Sequence, residues 1–234
     1  MARPSLLVIL AALNEEQGIR PSLAELRMVL DNPGVLVVDG NSMDRTAEFA
    51  KEMGARILFQ DGSAGKGEAI AQAIKHIYSY DIDYVIFTDA DYTYPARYLP
   101  EMIRILEENP EVGMVCGNRF NHHLHWKAMR SPFYVGNRFL AWAQLLMNGV
   151  DLTDPLTGLR VVKWSILKDW EPKSKGFDIE AEMNHRVENM GYKTVEIPIK
   201  YRPRLGDKKL KLRDGFRILK RIVSESLIFS RTQN

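Results

Sequence analysis

Short runs of apolar residues recur along the first half of the chain and alternate with stretches of helical periodicity. Five of these runs predict β-strands, at Leu6–Ala12, Val35–Val38, Ala55–Phe59, Tyr84–Thr88 and Val112–Cys116. Because the runs are almost continuously apolar, they are typical of strands that are covered on both faces of a sheet. The stretches between them predict helices at Pro21–Leu30, Ser42–Met53, Gly67–Ser79 and Ala96–Glu108. This alternation predicts an α/β fold, with a mostly parallel sheet and helices on both faces.

The ends of these helices are predicted from residues that favour helix boundaries. Pro21 suits a first helical turn, Ser42 can accept a hydrogen bond as an N-cap, and Gly54 suits a helix end. After residue 118 the pattern changes. It predicts a helix at Arg130–Asn148, a turn-rich loop at Asp151–Gly158, a helix at Asp178–Met190, a strand at Tyr192–Ile199 and a helix at Leu212–Phe229. No repeat or linker interrupts the sequence, so we expect one domain over residues 1–234.

The composition is that of a folded soluble chain, and its charge is unevenly distributed. The 234 residues are 45% apolar and 26% charged, which excludes a disordered chain and a small disulfide scaffold. The one cysteine, Cys116, agrees with a reducing compartment. Residues 193–234 contain 12 Lys and Arg against 4 Asp and Glu, whereas residues 1–192 contain 20 against 26. This basic tail indicates a partner that carries phosphate, unless its charges only form a solvated helix face.

The strongest chemical signal is the pair Asp89 and Asp91, at the end of a predicted strand in the sequence YVIFTDADYTYP. In parallel α/β sheets, ligands bind beyond the carboxyl ends of the strands, which is where this pair lies. Two carboxylates there suit Mg²⁺ or Mn²⁺ that takes its remaining ligands from water and a diphosphate. The same acids could instead cap the next helix. We favour the metal site.

Two classes of enzyme use an acidic pair in this setting. Phosphatases of the haloacid dehalogenase type have the string DxDx(T/V), with the first Asp as nucleophile, and residues 89–93 fit that string. However, that motif normally lies on the first strand of its domain, and three predicted strands precede Asp89 here. In glycosyltransferases the metal bridges the carboxylates and the diphosphate of a sugar nucleotide. A catalytically silent module that binds a nucleotide or a lipid is a third possibility.

Polar groups also follow other predicted strands. Glu15 follows the first strand and Asp39 the second, where a carboxylate can accept hydrogen bonds from a ribose or a base. Lys66 lies in GSAGKG, just before a predicted helix that could approach a phosphate. That segment is not a P-loop, since Gly67 stands where Ser or Thr is required. Together these positions predict a cleft for a sugar nucleotide.

The chain resembles the family 2 glycosyltransferases, which have the Rossmann-like GT-A fold, and among them the dolichyl- and polyprenyl-phosphate sugar synthases. The matching segments, in the family's order, are ALNEE (12–16), VVDGNSMDRT (37–46), GKGEAI (65–70), FTDADYTYP (87–95), GNRF (117–120), DPLTGLRVV (154–162), GFDIEAEM (176–183) and RPRLGDKKL (202–210). The resemblance implies a nucleotide-sugar half at 1–118, an acceptor half with a basic loop at 119–211 and an amphipathic helix at 212–230. It implies inverting transfer of a hexose from a donor of the UDP-glucose or GDP-mannose type to dolichyl or polyprenyl phosphate.

The resemblance also implies a role for each site residue. The nucleotide-sugar pocket would include Leu13, Glu15, Asp39 and Lys66. The metal, Mg²⁺ or Mn²⁺, would be held at the donor by Asp89 and Asp91, with Ala90 between them. The acceptor phosphate would be bound by Arg119, Arg130 and Asn137. A mobile basic loop would close over the donor diphosphate with Arg202, Arg204, Lys208 and Lys209. The catalytic set would be Asp89, Asp91, Arg119 and Arg130.

The choice of acceptor also has a physical basis. A phosphate monoester already carries about −1.5 to −2 charge at neutral pH, so it needs cations to position it and no base to deprotonate it. A sugar or protein hydroxyl, which is the alternative acceptor, would need a base near the metal. Asp178 or Glu180 could serve, although either could equally be an acid at a helix start.

The predicted C-terminal helix suits a lipid acceptor. Its apolar side contains Leu212, Phe216, Leu219, Val223 and Leu227, and its other side is rich in Lys and Arg. Such a helix can lie in the head-group region of a membrane, or it can pack on the domain with its charges in water. We expect a peripheral enzyme on the cytoplasmic face of a membrane. No nucleic-acid module is recognisable, so we expect no nucleic-acid partner.

Overall fold

The core of the molecule is a mixed β-sheet. The computed structural model describes residues 4–62, 65–120 and 131–232, with only the backbone for 228–232. Within these residues the strands are β1 (Leu6–Ala12), β2 (Gly34–Asp39), β3 (Arg56–Phe59), β4 (Tyr84–Asp89), β5 (Val112–Asn118), β6 (Arg160–Lys163) and β7 (Lys193–Pro198). They form one seven-stranded sheet in the order β3-β2-β1-β4-β6-β5-β7. Only β6 runs antiparallel to its neighbours in this sheet. The predicted α/β class and mostly parallel sheet are confirmed.

Helices cover both faces of the sheet. Over the described residues they are α1 (Glu16–Val29), α2 (Thr46–Glu52), α3 (Lys66–His76), α4 (Leu99–Glu108, after a 3₁₀ turn at Ala96–Tyr98), α5 (Pro132–Asn148), α6 (Trp164–Leu167), α7 (Ile179–Asn189) and α8 (Asp214–Thr232). Helices α1, α2 and α4 pack on one face, and α3, α6 and α7 pack on the other. Successive residues of β1 point into opposite layers, which explains why every position in that strand is apolar.

A third, smaller apolar cluster joins the helices of the second half. Leu140 of α5, Ala181 of α7 and Ile218 and Ile222 of α8 are all buried in it. Helix α8 is therefore attached to the domain along one side. Among the described helices, none has both the length and the apolar character needed to cross a bilayer.

Strand β6 is absent from the elements that the sequence pattern predicts. It is four residues long and begins with Arg160, which is 1% exposed. A charged residue at the start of a short run gives no strand signal, because local patterning takes no account of distant groups that satisfy the charge. The turn-rich loop predicted before it is present, since residues 151–158 form no helix or strand.

Two predicted helix starts are wrong. Helix α1 begins at Glu16, so Pro21 lies inside it. The carbonyl that would accept a hydrogen bond from residue 21 belongs to Gln17, which is exposed and can bond to water instead. Helix α2 begins at Thr46, and Ser42 is not its N-cap. Instead, the Ser42 hydroxyl accepts a hydrogen bond from the Asn14 N–H at 2.9 Å, which joins the loops that follow β1 and β2.

Candidate active site

The topology of the sheet places a crevice at the carboxyl ends of β1 and β4. The chain crosses from β1 to β2 and β3 on one side and then returns to β4 on the other side of β1. Ligands of open α/β sheets bind where the direction of the crossovers reverses in this way. A cavity of about 1380 Å³ opens at this point.

This cavity brings together most of the residues that the sequence singles out. Its lining includes Leu13, Glu15, Lys66, Asp89, Ala90, Asp91, Arg119, Asn137, Arg202, Arg204, Lys208 and Lys209. Asp39 is fully buried behind it, between the lining residues Val38 and Gly40. Arg130 lies outside the described residues. Residues far apart in the sequence therefore share one cleft, as the strand-end positions predict.

A glycine allows α1 to pack directly against the acidic pair. A Cβ on Gly18 would lie 2.4 Å from the Ala90 carbonyl oxygen and 2.6 Å from the Asp91 Cα. Any side chain at residue 18 would therefore displace the backbone that presents the two carboxylates. Beyond the pair, Tyr92 has a φ of 66°, which turns the chain sharply after β4.

Asp89 forms a buried charge cluster with Lys66 and Glu180. The Lys66 ammonium lies 2.7 Å from Asp89 Oδ1 and 2.7 Å from Glu180 Oε1. Burial disfavours the charged form of Asp89, but the adjacent ammonium outweighs it and holds the pKa of this carboxyl below its ordinary value. Burial likewise opposes the charge on Lys66, and the two carboxylates nevertheless raise its pKa. Asp89 is thus ionised at neutral pH.

Asp91 lies in a different environment although it is only two residues away. Its Oδ1 accepts hydrogen bonds from the Thr93 hydroxyl at 2.6 Å and the Thr93 N–H at 3.1 Å. Its Oδ2 lies 3.4 Å from the Arg204 guanidinium. Burial and the neighbouring charge of Asp89 nevertheless raise the pKa of Asp91. A further positive charge beside this pair would relieve that repulsion.

The donor set of the acidic pair fits a hard divalent cation. Both side chains offer carboxylate oxygens, the ligand type that Mg²⁺ and Mn²⁺ prefer. In the part of the chain that the structure describes, no cluster of three or more His, Cys, Asp or Glu side chains is arranged to hold a metal ion. A cation here would therefore take its remaining ligands from water and a bound substrate. Asp89, Asp91 and a diphosphate are such a combination.

Basic side chains from the segment after β7 reach the end of the cavity that contains Glu15. The Arg204 guanidinium lies 2.5 Å from Glu15 Oε1, and the Lys209 ammonium lies 3.4 Å from the same oxygen. Burial raises the pKa of Glu15 in spite of these two cations. Behind them, Asp39 Oδ1 accepts a hydrogen bond from the Ser42 N–H at 2.7 Å. In the expected nucleotide pocket, the Glu15 carboxylate is therefore paired with the cations of Arg204 and Lys209.

The other two cations of that segment are held outside this cluster. Arg202 makes two hydrogen bonds to the Glu25 carboxylate of α1, each 2.7 Å long. The Lys208 ammonium lies over the ring of Phe133, at 2.9 Å from its centroid. Backbone hydrogen bonds from Arg202 to the Thr93 carbonyl and from Leu205 to the Asp91 carbonyl attach the segment to the acidic pair. The basic segment thus borders the same cavity along most of its length.

At the part of the cavity where an acceptor is expected, Asp154 holds Arg119 and Asn137. Its Oδ2 accepts hydrogen bonds from Arg119 Nε at 2.7 Å and from the Arg119 N–H at 3.0 Å. Its Oδ1 accepts from Arg119 Nη2 and from Asn137 Nδ2, both at 2.7 Å. Asp154 is fully buried, whereas the Arg119 side chain remains 19% exposed. The guanidinium is therefore held rigidly while one part of it faces the cavity.

Sequence reasoning assigned no role to Asp154, although the segment that contains it is among the matching ones. The signal that could have identified Asp154 is Arg119, a predicted cation that directly follows β5. Arg119 cannot be buried there without a carboxylate that satisfies its donors. The sequence predicts Glu180 only as a possible base, and it predicts no role for Glu25. Each of these acids is recognisable only once its cationic partner is located in space.

The sequence as a whole decides the family. A family model described as "Glycosyl transferase family 2" matches residues 7–163, which include all but the first residue of β1, all of β2 to β6 and the acidic pair. The chain belongs to glycosyl transferase family 2. The resemblance inferred from the eight segments is thereby confirmed. Family membership also decides against the phosphatase alternative for the string at residues 89–93.

Two relatives of this family 2 glycosyltransferase are similar over most of both chains. A dolichyl-phosphate hexose transferase from Haloferax volcanii is 33% identical over 88% of this chain and 86% of its own length. An undecaprenyl-phosphate mannosyltransferase from Micrococcus luteus is 28% identical over 87% of this chain and 86% of its own length. The chain spans about half the length of two other relatives that it matches.

Solved structures confirm the GT-A fold of this family 2 glycosyltransferase. The glucosyl-3-phosphoglycerate synthase of Mycobacterium tuberculosis, in complex with Mn²⁺, UDP and phosphoglyceric acid, superposes with a TM-score of 0.75. The match covers 95% of this chain and 78% of the synthase at 19% identity. A second structure of that synthase contains Mg²⁺ and UDP. Divalent metal together with UDP is therefore present in structural neighbours.

Proposed function

We propose that the protein transfers a hexose from a nucleotide sugar to a polyprenyl phosphate, with inversion at the anomeric carbon. One observation supports this most strongly. A pair of carboxylates suited to a metal–diphosphate and a rigidly held guanidinium border the same cavity. The names of the two relatives, a dolichyl-phosphate hexose transferase and an undecaprenyl-phosphate mannosyltransferase, agree with this substrate class.

The donor would bind across the carboxyl ends of β1 and β4. Leu13, Glu15 and Asp39 lie where the nucleoside is expected, and Asp89 and Asp91 would hold Mg²⁺ or Mn²⁺ on the diphosphate. The cation would offset the negative charge that develops on the leaving diphosphate. Cationic side chains would share this task, and those available are Lys66, Arg202, Arg204, Lys208 and Lys209. Arg204 would exchange its contacts with Glu15 and Asp91 for phosphate oxygens when the donor binds.

The acceptor phosphate would bind at Arg119 and Asn137, with Arg130 as the third expected contact. Because the phosphate is already ionised, no side chain has to remove a proton from it. The Asp154 carboxylate fixes the plane of the Arg119 guanidinium and so orients the bound phosphate for attack. An attack in line with the departing diphosphate inverts the configuration of the sugar.

A lipid acceptor agrees with the exposed surface of α5 and α8. Phe139, Trp142 and Leu146 of α5 are 51%, 58% and 63% exposed, and Phe216 of α8 is 79% exposed. Large apolar side chains in such number on neighbouring helices are typical of an interaction surface. The exposed cations Arg217 and Lys220 of α8, with Arg213 just before the helix, suit anionic head groups. We propose that these helices lie on the cytoplasmic face of a membrane as a peripheral contact, and that nucleic acid is not a partner.

The test is transfer of labelled sugar. UDP-glucose and GDP-mannose are each offered with Mg²⁺ or Mn²⁺ to a short-chain polyprenyl phosphate in detergent. The polyprenol without phosphate and free sugars serve as matched acceptors. We expect label in the lipid fraction with the phosphate-bearing acceptor alone, and its loss on chelation of the metal. Transfer to a free hydroxyl would instead establish the alternative acceptor, and the absence of any transfer would refute the proposed activity.

A further inference from the structure

The loop between α5 and β6 that contains Asp154 is held from both sides by charged residues. On one side, the Glu196 carboxylate of β7 accepts hydrogen bonds from the N–H groups of Thr153 and Asp154, each at 2.7 Å. On the other side, the Arg160 guanidinium of β6 donates to the carbonyls of residues 155 and 157. An anion thus satisfies the donors of this loop, and a cation satisfies its acceptors.

Arg160 is unusual because it is almost fully buried and, among the described residues, forms no ion pair. It is 1% exposed. Its Nε donates to the Thr157 carbonyl at 2.9 Å and its Nη2 donates to the Pro155 carbonyl at 2.6 Å. Its Nη1 donates to Asn184 Oδ1 on α7. A buried cation without a carboxylate is costly, so a requirement other than stability explains its presence best.

Asn184 extends this network to a second helix. Its Nδ2 donates to the Pro155 carbonyl and to Gln144 Oε1 of α5, both at 3.0 Å. Gln144 Nε2 in turn donates to the Ala181 carbonyl at 2.8 Å. Asn137, which shares the Asp154 carboxylate with Arg119, lies two turns earlier on α5. The same network therefore fixes the loop relative to both helices that border the acceptor side.

Asp154 connects this loop to Arg119 and Asn137, the groups proposed to bind the phosphate. Its side chain accepts four hydrogen bonds from Arg119 and Asn137, and it has no exposed surface. A shift of the loop must therefore move the guanidinium with it. The other end of the loop meets the acidic pair, since the Gly158 N–H donates to the Tyr94 hydroxyl at 2.7 Å and a Cβ on Gly158 would lie 2.7 Å from Asp89 Oδ2. The acidic pair has separate partners that hold it, because Asp89 is bonded to Lys66 and Asp91 lies 3.4 Å from Arg204.

We propose that Arg160 and Glu196 are positioning residues for the acceptor phosphate. By fixing the loop at residues 153–158 they set the place of Asp154, and through it the orientation of Arg119 and Asn137. Because they bond to residues 153–157 and Asp89 is held separately by Lys66, we expect their loss to weaken acceptor affinity more than donor affinity. This inference rests on the proposed function, since it assumes that Arg119 binds the acceptor phosphate.

The experiment replaces each of these two oppositely charged residues and compares the variants with a matched control. Arg160→Lys keeps the positive charge but cannot reach both loop carbonyls, and Glu196→Gln cannot accept from both N–H groups. The control is Arg186→Lys. Arg186 lies on α7, and its Nε donates to the backbone carbonyl of Ile166, away from the loop. For each variant we would measure KM and kcat with the polyprenyl phosphate, and the UDP–Mn²⁺ dissociation constant by calorimetry.

We expect both loop variants to raise the KM for the lipid phosphate about tenfold, because hydrogen bonds to charged groups are lost. The UDP–Mn²⁺ dissociation constant should stay within about twofold of the wild-type value, and Arg186→Lys should leave both constants unchanged. Equal losses of donor and acceptor affinity, or a lower thermal midpoint with an unchanged KM, would refute the positioning role. If the wild-type protein itself fails to use the lipid phosphate, the proposed function fails, and that result is distinguishable from either of these.

Discussion

Asp89 and Asp91 lie two residues apart at one strand end, yet their surroundings shift their pKa values in opposite directions. Asp89 shares a buried ammonium with Glu180, and its pKa is lowered because the cation outweighs its burial. Asp91 has only a hydroxyl, an N–H and a distant guanidinium, and its pKa is raised by burial and by Asp89. The ionised form of Asp91 is therefore less favourable in the fold than that of Asp89, and a bound cation would stabilise it.

Replacing Asp91 by Asn should affect activity and stability in opposite directions. Asn can still accept a hydrogen bond from Thr93 but carries no charge, so we expect turnover to fall about 10²- to 10³-fold. Because the raised pKa means that the neutral form suits the fold better, the thermal midpoint without metal at pH 7 should rise. Differential scanning calorimetry and the transfer assay measure the two effects.

Asp44 provides the matched control for this exchange. Hydrogen bonds from Thr46 and from the Glu16 N–H outweigh its partial burial and lower its pKa. Asp44→Asn should therefore lower the thermal midpoint and leave turnover near the wild-type value, the reverse of Asp91→Asn. A midpoint that falls in both variants would contradict the account of Asp91.

Lys66 is the cation on which two buried carboxylates depend. Removing one partner of a buried ion pair leaves the other charge uncompensated. We expect Lys66→Met to lower the free energy of unfolding by about 3–5 kcal/mol without metal. Millimolar Mn²⁺ should recover part of the loss, because a cation at Asp89 binds only the folded state.

Urea denaturation with and without Mn²⁺ measures both parts of this prediction. The control is the double variant Lys66→Met/Glu180→Gln, which has one fewer unpaired carboxylate and should lose less stability than Lys66→Met alone. If the double variant is less stable than the single one, Glu180 contributes to the fold independently of Lys66, and the cluster is not organised as its distances indicate.

At the scale of elements, the sequence predicts best where local pattern and tertiary burial agree. Four strands of the first half follow from their continuous apolar character, because both of their faces are covered. The fifth, β3, is an edge strand whose residues are only partly buried or exposed, and its short apolar run still predicts it. Strand β6 could not be predicted, since its first residue is a buried arginine satisfied by groups from a loop and from α7. The start of α1 was misplaced because Pro21 is tolerated where its missing hydrogen bond can be replaced by water.

Some apolar residues of helix α8 are buried against the domain, and others are exposed. Ile222 is 1% exposed and packs against α5 and α7, whereas Phe216 is 79% exposed. The sequence pattern alone leaves open whether this helix lies on lipid or on the domain. In the structure, one side of the helix does pack on the domain, and Phe216 remains available for another surface.

Substitutions of these two residues should separate folding from membrane contact. We expect Ile222→Ala to lower the free energy of unfolding by about 2–5 kcal/mol. Phe216→Ser should change it by about 0.5 kcal/mol or less, yet weaken binding to vesicles of anionic lipid about tenfold. Urea denaturation and vesicle co-sedimentation measure the two effects. Unchanged vesicle binding by Phe216→Ser would exclude this part of α8 from the proposed membrane surface.

At the scale of the whole molecule, the position of the cleft could be predicted from the sequence, but the ion pairs that line it could not. Carboxyl ends of parallel strands meet at one edge, which is why residues as distant as Glu15 and Asp91 were expected together. Their partners come from elements whose placement depends on long-range packing. Lys66 bonds to Glu180, and Arg119 to Asp154, across separations that no local spacing encodes.

The contact between α7 and α8 contains a histidine that links global stability to pH. His185 is 4% exposed, and its Nε2 lies 2.8 Å from Asn189 Nδ2 and 3.7 Å from Glu225 Oε2. Glu182 on its own helix favours the charged ring, and Arg221 of α8 is bonded to Glu225. Burial outweighs Glu182 and lowers the pKa of His185. The neutral ring is therefore the form that the folded state prefers.

The sign of the resulting pH dependence follows from proton uptake. In the unfolded chain His185 titrates near its ordinary pKa of about 6.5, and in the folded chain it titrates lower, so the unfolded state binds more protons in between. The free energy of unfolding should thus fall as the pH drops from 7 toward 5, and His185→Gln should fall less over the same range. Urea denaturation at half-unit pH steps measures the difference between the two curves, in which the titration of Glu225 largely cancels. Parallel curves would mean that His185 has the same pKa in both states and that the α7–α8 contact is insensitive to its charge.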